Sequence, residues 1–328
     1  MLIDSLGRQI TYLRISVTDR CNSRCVYCMP LAGVPWKSHD EILRYEEIAE
    51  IVRVMAAEGV RAVRLTGGEP LVRPNLPELV GMLAAIPGIA DISLTTNGLL
   101  LEQQAEDLVK AGLKRINVSL DTMKPELFRR ITRVGSIERV MRGLEAAEKC
   151  GLTPIKINMV VMRGINEDEI IPMARLSISR PWHVRFIELM PLGNQQPWGD
   201  GFPLPETMYY PIREIRAQLE TLGLEPVPDK SGNGPAVEYR LHGAHGRVGM
   251  IAALGEAFCD TCNRLRLTAD GYLRPCLMSA EEINLKDALR SGQPILPLIQ
   301  QAVDVKPLGH ELASRPAPEG RCMLQIGG

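Results

Sequence analysis

The sequence predicts an α/β fold: a partial (βα)6 TIM-type barrel followed by a smaller α+β region at the C-terminus. Three observations carry this expectation. From about residue 10 to 190, short β-branched runs alternate with longer amphipathic stretches, as repeated βα units do. The runs are almost continuously apolar, which marks a parallel sheet covered by helices. A closed barrel needs eight such units in about 250 residues, and only six are visible. The barrel is therefore expected to be open, with its chemistry at the carboxyl ends of the strands.

The six strands are expected at Thr11 to Thr18, Ala62 to Thr66, Ile92 to Thr96, Arg115 to Leu120, Ile155 to Val161 and Val184 to Glu188. Among the helices between them, Glu46 to Glu58 closes at Gly59 and Gln103 to Ala111 closes at Gly112, each with glycine where a left-handed cap is wanted. Around Pro191 to Pro211 the texture turns to Pro, Gly, Asn and Gln, which marks a connection. We accordingly divide the chain into a barrel core, 1–195, and a C-terminal region, 196–328. The latter should contain a helix near Ile212 to Leu222, a polar loop at Asp229 to Pro235, short strands, a hairpin around Asp270-Gly271 and a helix near Leu285 to Ser291.

With 328 residues, 45% hydrophobic and 23% charged, the chain can bury a full core. Its longest apolar runs fall short of the ~18 residues of a membrane span, and Met1 to Arg20 lacks the pattern of a signal peptide, so the expectation is a cytoplasmic protein with no membrane partner. A net charge of −1 gives no global field for nucleic acid, and an anionic ligand would have to be met by local arginines. Eight cysteines in such a chain point to metal or redox use in a reducing compartment.

Cys21, Cys25 and Cys28 stand at CxxxCxxC spacing just after the first strand. Thiolates are the usual ligands of iron–sulfur clusters, normally four of them, so three leave one iron of a four-iron cluster open to a small molecule. The plainer alternatives are a zinc knuckle with a distant fourth ligand or buried thiols, but structural zinc favours paired CxxC-like knuckles. After the second strand comes Thr66-Gly67-Gly68-Glu69-Pro70, whose two glycines suit close approach of backbone to a ligand with both charges of an amino acid. The plainer reading is a tight turn capped by Glu69. A second trio is Cys259, Cys262 and Cys276. Its spacing leaves open both an iron–sulfur cluster and a zinc site completed by His242 or His245. Cys150 and Cys322 fit neither group and read as ordinary thiols.

The cysteine loop Arg14 to Pro30, with Tyr27 just before the third cysteine, and the GGEP turn resemble those of the radical S-adenosylmethionine (SAM) enzymes. Together with the second trio and the Gly-Gly terminus, the whole chain resembles the GTP 3′,8-cyclase family of molybdenum cofactor biosynthesis. The resemblance implies two [4Fe–4S] clusters, held by Cys21, Cys25 and Cys28 and by Cys259, Cys262 and Cys276. It implies SAM contacts at Tyr27, Gly68, Ser119 and Met190. The implied GTP contacts are Arg14, Arg64, Thr95, Lys156, Arg264, Leu265 and Arg266, with Arg14, Arg266, Gly327 and Gly328 serving catalysis. Separate cationic segments suit a triphosphate, and Arg264 and Arg266 alternate on a strand so that both point one way.

The implied reaction is reductive cleavage of SAM to methionine and a 5′-deoxyadenosyl radical. That radical removes the 3′ hydrogen of GTP, and the ribose carbon then joins C8 of guanine. The implied partners are an electron donor such as flavodoxin or ferredoxin, the downstream cyclic pyranopterin monophosphate synthase, and a second copy of the chain in a homodimer. A radical SAM enzyme that modifies a peptide is the nearest alternative, although such enzymes commonly carry more C-terminal cysteines. A non-catalytic iron–sulfur or zinc protein is the alternative from another class, against which the GGEP turn and the dispersed cations argue.

Overall fold

The computed structural model describes residues 1–190, 192, 198–199, 201–228, 234–256, 258–309 and 321–327. Gly328, the centre of the loop expected at Asp229 to Pro235, and part of the Pro-rich connection lie outside the described residues. The first six strands are β1 (Tyr12–Ser16), β2 (Ala62–Thr66), β3 (Asp91–Thr96), β4 (Arg115–Ser119), β5 (Lys156–Val161) and β6 (His183–Glu188). Between them run α1 (Tyr45–Ala57), α2 (Leu76–Ala84), α3 (Leu101–Ala111), α4 (Pro125–Thr132), α5 (Ile137–Lys149) and α6 (Ile170–Ser179). Gly112 ends α3 in the left-handed conformation, at φ 113°, as its place in the sequence suggests.

After α7 (Ile212–Glu220) come β7 (Leu224–Pro226), β8 (Val237–Leu241), β9 (Arg247–Ile251), β10 (Arg264–Leu267), β11 (Tyr272–Arg274) and β12 (Ile283–Asn284). The chain continues through α8 (Lys286–Arg290) and α9 (Leu296–Asp304) to α10 (Met323–Ile326). All twelve strands form one sheet in the order β12-β11-β10-β1-β2-β3-β4-β5-β6-β9-β8-β7. The run from β10 to β9 is parallel throughout. The six expected units are thus flanked by two further parallel strands from the C-terminal region. β9 and β10 pair with the antiparallel β8 and β11 rather than with each other, so the barrel stays open.

Alternation along the strands sorts their residues. Leu13, Ile15, Val63, Leu65, Ile157, Val184, Leu265 and Leu267 join the apolar core under the helices. Their neighbours Arg14, Arg64, Asn158, Arg185, Arg264 and Arg266 line the interior of the barrel. Leu265, expected to contact GTP, is a correction at the level of its side chain. Paired in register with Leu13, it is fully buried on the helix side, because adjacent residues of a strand face opposite ways.

Glu188, at the end of β6, ties the C-terminal region to the barrel. Its carboxylate accepts from Tyr209 Oη and from the backbone N–H groups of Ile212, Leu254 and Gly255 at 2.9–3.0 Å. Every carboxylate lone pair so engaged is one that burial would otherwise leave unsatisfied. Among the described residues, no helix is long and apolar enough to cross a membrane.

Truncating Leu265 tests its side chain's place. Leu265→Ala is expected to cost about 2–5 kcal/mol of stability, as buried leucine deletions do, read from the shift of a urea unfolding curve.

Candidate active site

The loop after β1 carries the first cysteine trio at the carboxyl end of the barrel. Its path depends on the turn after β2. Gly68 N donates to Thr18 O and Glu69 N to Arg20 O, both at 2.8 Å. A Cβ on Gly67 would lie 2.6 Å from Thr18 O, and one on Gly68 would lie 2.2 Å from Arg20 O. These glycines are required by the neighbouring chain as it enters the cysteine loop. Both glycines also line the cavity, as a close backbone approach to a ligand requires, but the N–H of Gly68 is engaged by Thr18 O.

Glu69 is buried beneath that turn. Its Oε1 accepts from Thr96 Oγ1 at 2.7 Å and from Leu71 N at 3.0 Å, and its Oε2 accepts from Asn97 N at 2.6 Å. Burial pushes its carboxyl up to about 7 against the pull of these donors. Tyr27 Oη donates to Asp121 Oδ2 at 2.6 Å, and Val160 N donates to Asp121 Oδ1 at 2.8 Å. Burial lifts Asp121 to about 6.

Burial also pushes the thiols of Cys21 and Cys25 up to about 11 and about 12, and that of Cys28 well above its usual value. Thiolates in this pocket need a strong positive charge close by, which bound iron supplies. Ser23 N already donates to Cys21 Sγ at 3.3 Å, the kind of contact that supports a cluster ligand.

The second trio is at the other end of the barrel. Cys259 and Cys262 precede β10, and Cys276 follows β11, which runs antiparallel to it. All three therefore lie at the amino end of the parallel strands, contrary to the expectation that every motif falls at the carboxyl ends. Burial opposes the Cys262 thiolate, but Arg264 and Lys306 outweigh it and hold the thiol below its usual value. Among the described residues, no three His, Cys, Asp or Glu side chains converge where a single metal ion could sit. Three thiols in each set fit a cluster with one iron left open, whereas a structural zinc ion takes four protein ligands.

One cavity of about 310 Å³ joins the two ends, and all six cysteines line it. So do Tyr27, Gly68, Ser119 and Met190, the residues expected to hold SAM. Of the residues expected to hold GTP, Arg14, Arg64, Thr95, Arg264 and Arg266 reach it. Arg14, Arg64 and Arg266 lie in one row across β1, β2 and β10. Burial, and then the charge of Arg266, hold Arg14 well below the usual arginine value. Burial, then Arg264, brings Arg266 down to about 10.

Lys156 is buried and does not line the cavity. Burial first, then Arg185, Arg115 and Arg64, pull it down to about 6. Arg185, absent from the expected set, faces the cavity from β6 with a buried Nε that has no hydrogen-bond partner. A charge inside an apolar strand ordinarily marks a solvated face, and the resemblance that implied Arg64 and Lys156 did not extend to Arg185. Gly249 on β9 makes room for it, since a Cβ there would lie 2.9 Å from Arg185 Cγ.

The tail enters the barrel. Arg266 Nη1 donates to Gly327 O at 2.5 Å, and Met323 and Leu324 line the cavity. Arg321 fixes the start of this segment by pairing with both oxygens of Asp270 at 3.0 Å and of Glu282 at 2.7 and 2.9 Å. Cys322 packs with Met29 and Leu324 as a core thiol, and Cys150 packs at the margin of the main core.

Because both oxygens of Glu69 accept from donors, the isosteric Glu69→Gln would set an NH2 against an N–H. We expect it to destabilise the chain by about 1–3 kcal/mol, the cost of a buried unsatisfied donor, measured by denaturant unfolding of the metal-free protein.

Residues 15–177 match the family model of the Radical SAM superfamily, and residues 182–312 match that of Molybdenum Cofactor Synthesis C. Among solved structures, Streptococcus suis SuiB bound to S-adenosylmethionine superposes with a TM-score of 0.62 at 16% identity, covering 90% of this chain and 68% of that one. That likeness concerns the fold alone. The GTP 3′,8-cyclase of Heliobacterium modesticaldum is 48% identical over 333 residues, all of both chains. That of Moorella thermoacetica is 51% identical over 329 residues, 99% of each. With such identity held from end to end, the chain belongs to the GTP 3′,8-cyclase family of radical SAM enzymes.

Proposed function

We propose that the protein converts GTP to (8S)-3′,8-cyclo-7,8-dihydroguanosine 5′-triphosphate, the first step of molybdenum cofactor biosynthesis. The observation that carries this reading is a single cavity with a cysteine trio at each end and a row of arginines between them. When bound, the first cluster supplies the electron that cleaves SAM, and the deoxyadenosyl radical so released takes the 3′ hydrogen of GTP.

The chain's own residues place and protect the reactants. Cys21, Cys25 and Cys28 hold the first cluster with one iron left for SAM, beside Tyr27, Gly68, Ser119 and Met190. Arg14, Arg64, Arg185 and Arg264 meet the triphosphate, Lys156 adds its charge from behind the cavity wall, and Thr95 and the Leu265 backbone complete the binding site. Cys259, Cys262 and Cys276 would hold a second cluster, which would supply a Lewis-acidic iron at the guanine end of the cavity. Arg266, bonded to Gly327 O, acts beside Arg14 where the ribose reacts, and Gly327 and Gly328 serve the same step. The apolar wall of Met323 and Leu324 keeps other hydrogen donors from the radical.

On this reading residues 1–195 form the SAM-cleaving core, and residues 196–328 supply the second cluster and the tail. A cytoplasmic flavodoxin or ferredoxin reduces the first cluster, cyclic pyranopterin monophosphate synthase consumes the product, and the chain works as a homodimer.

The test is anaerobic: reconstituted protein with dithionite, SAM and GTP, followed for 5′-deoxyadenosine and cyclised GTP in equal amounts. Deoxyadenosine formed while GTP survives would refute the substrate. In the same assay Arg266→Ala is expected to lose most cyclised product and to retain slow SAM cleavage. Lys156, pulled down to about 6, is neutral at about pH 8, and a triphosphate bound among its neighbours Arg64 and Arg185 raises its proton affinity through the field across the wall. GTP binding at that pH should therefore take up a proton and weaken as pH rises further. Calorimetry in buffers of different ionisation enthalpy reads this uptake, which Lys156→Met should remove.

A further inference from the structure

The second cysteine trio is accompanied by a buried cation that the cysteine pattern does not reveal. Lys306, just past α9, is 4% exposed. Its Nζ donates to Arg264 O at 2.8 Å, to Pro275 O at 2.7 Å and to Cys262 Sγ at 3.6 Å. An ammonium has three protons, and each has an acceptor here. Two of these acceptors are carbonyls of the segments that carry the cysteines, one just beyond Cys262 and the other just before Cys276. The third is the sulfur itself.

Arg8 lies beside this arrangement, and its Nη1 donates to Cys259 O at 2.8 Å while its Nη2 donates to Pro307 O at 2.8 Å. Its charge is balanced by Asp4, 2.5 Å away. Lys306 pairs with no carboxylate among the described residues. A buried ammonium without a counter-ion is costly, and among the described residues its one sulfur contact, Cys262 Sγ, is the anionic chemistry within its reach. An iron–sulfur cluster on three thiolates is anionic and grows more so on reduction, and hydrogen bonds to its sulfurs together with nearby charge set its potential.

We propose that Lys306 is a positioning and charge-balancing residue for a cluster held by Cys259, Cys262 and Cys276. It pins the two cysteine-bearing segments together and favours the reduced form of the cluster. The inference rests on the proposed assignment of that trio.

The experiment compares wild-type protein with Lys306→Gln, which keeps donors for the two carbonyls without the charge, and with Lys306→Arg, which keeps the charge. Each full chain is reconstituted anaerobically, its iron is counted, and it is titrated by electron paramagnetic resonance. SAM perturbs the signal of the first cluster and so tells the two apart. We expect Lys306→Gln to hold wild-type iron with the second cluster's midpoint shifted to a more negative potential, the first unmoved, and Lys306→Arg to restore the wild-type value. Loss of half the iron in Lys306→Gln, regained in Lys306→Arg, would also support the role of charge. An unshifted midpoint at full iron, or equal loss of iron from both variants, would overturn it. The trio's assignment is checked separately by Cys262→Ser, which must lose half the iron. If it does not, the assignment falls and the inference with it.

Discussion

Positive charge packed inside a sheet is the constraint on which this structure turns. Arg14, Arg64 and Arg266 occupy one row of three hydrogen-bonded strands, with Arg264 one step away. Like charges out of water repel and lose hydration, and both effects appear in the depressed arginine values of Arg14 and Arg266. The fold answers with dipoles and ring faces. Ser93 Oγ accepts from Arg64 Nε at 3.2 Å, the Tyr12 ring lies 5.6 Å from the Arg64 guanidinium, and Gly327 O accepts from Arg266. Such contacts hold the arginines in place without neutralising them. The remaining charge is what makes the cavity fit for a polyanion, and the dense apolar layer under the helices supports it.

An open sheet gives that charge two approaches. If β9 and β10 paired with each other, the barrel would close and its interior would fill with side chains, as eight-stranded barrels do. Instead each takes an antiparallel neighbour from its own hairpin, and the segment joining them carries Cys259 and Cys262 to the amino end of β10. Two cysteine trios thereby face one another along the length of the strands. A ligand between them can be held at both ends, and this fixes its orientation more strictly than either end could alone.

Much of this was legible in the sequence because alternation on parallel strands is a strong signal. The six core strands fall within two residues of expectation, and the inward positions of Arg14, Arg64 and Thr95 follow from the same period. What stayed hidden depended on tertiary contacts. The strands β9 and β10 were expected only as short strands of the C-terminal region, because no helix joins them, whereas parallel neighbours normally need a crossover. Here they lie at opposite margins of the parallel run, so none was needed. The glycines of GGEP do line the cavity, but their second task, accommodating the carbonyls of Thr18 and Arg20, stayed hidden because those groups are some fifty residues distant in the chain. Lys306 belongs to no motif, and only the folded chain brings its ammonium to a cysteine. Leu265 was grouped with its arginine neighbours by position, but the strand period sends its side chain to the other face.

The tail shows how narrowly such a cavity can be specified. Gly327 sits at φ 76°, where side chains are disfavoured, and a Cβ there would lie 2.8 Å from Thr66 Cγ2 and 3.2 Å from Ser16 Cβ. Those contacts are the carboxyl ends of β1 and β2, the strands that carry Arg14 and Arg64. Conformation and space independently demand glycine at this point. A larger residue would lift the carbonyl away from Arg266 and return a buried guanidinium to its repulsive neighbours. Gly327 is therefore part of the charge arrangement of the barrel: its carbonyl is a neutral acceptor that holds Arg266 in place without cancelling its charge.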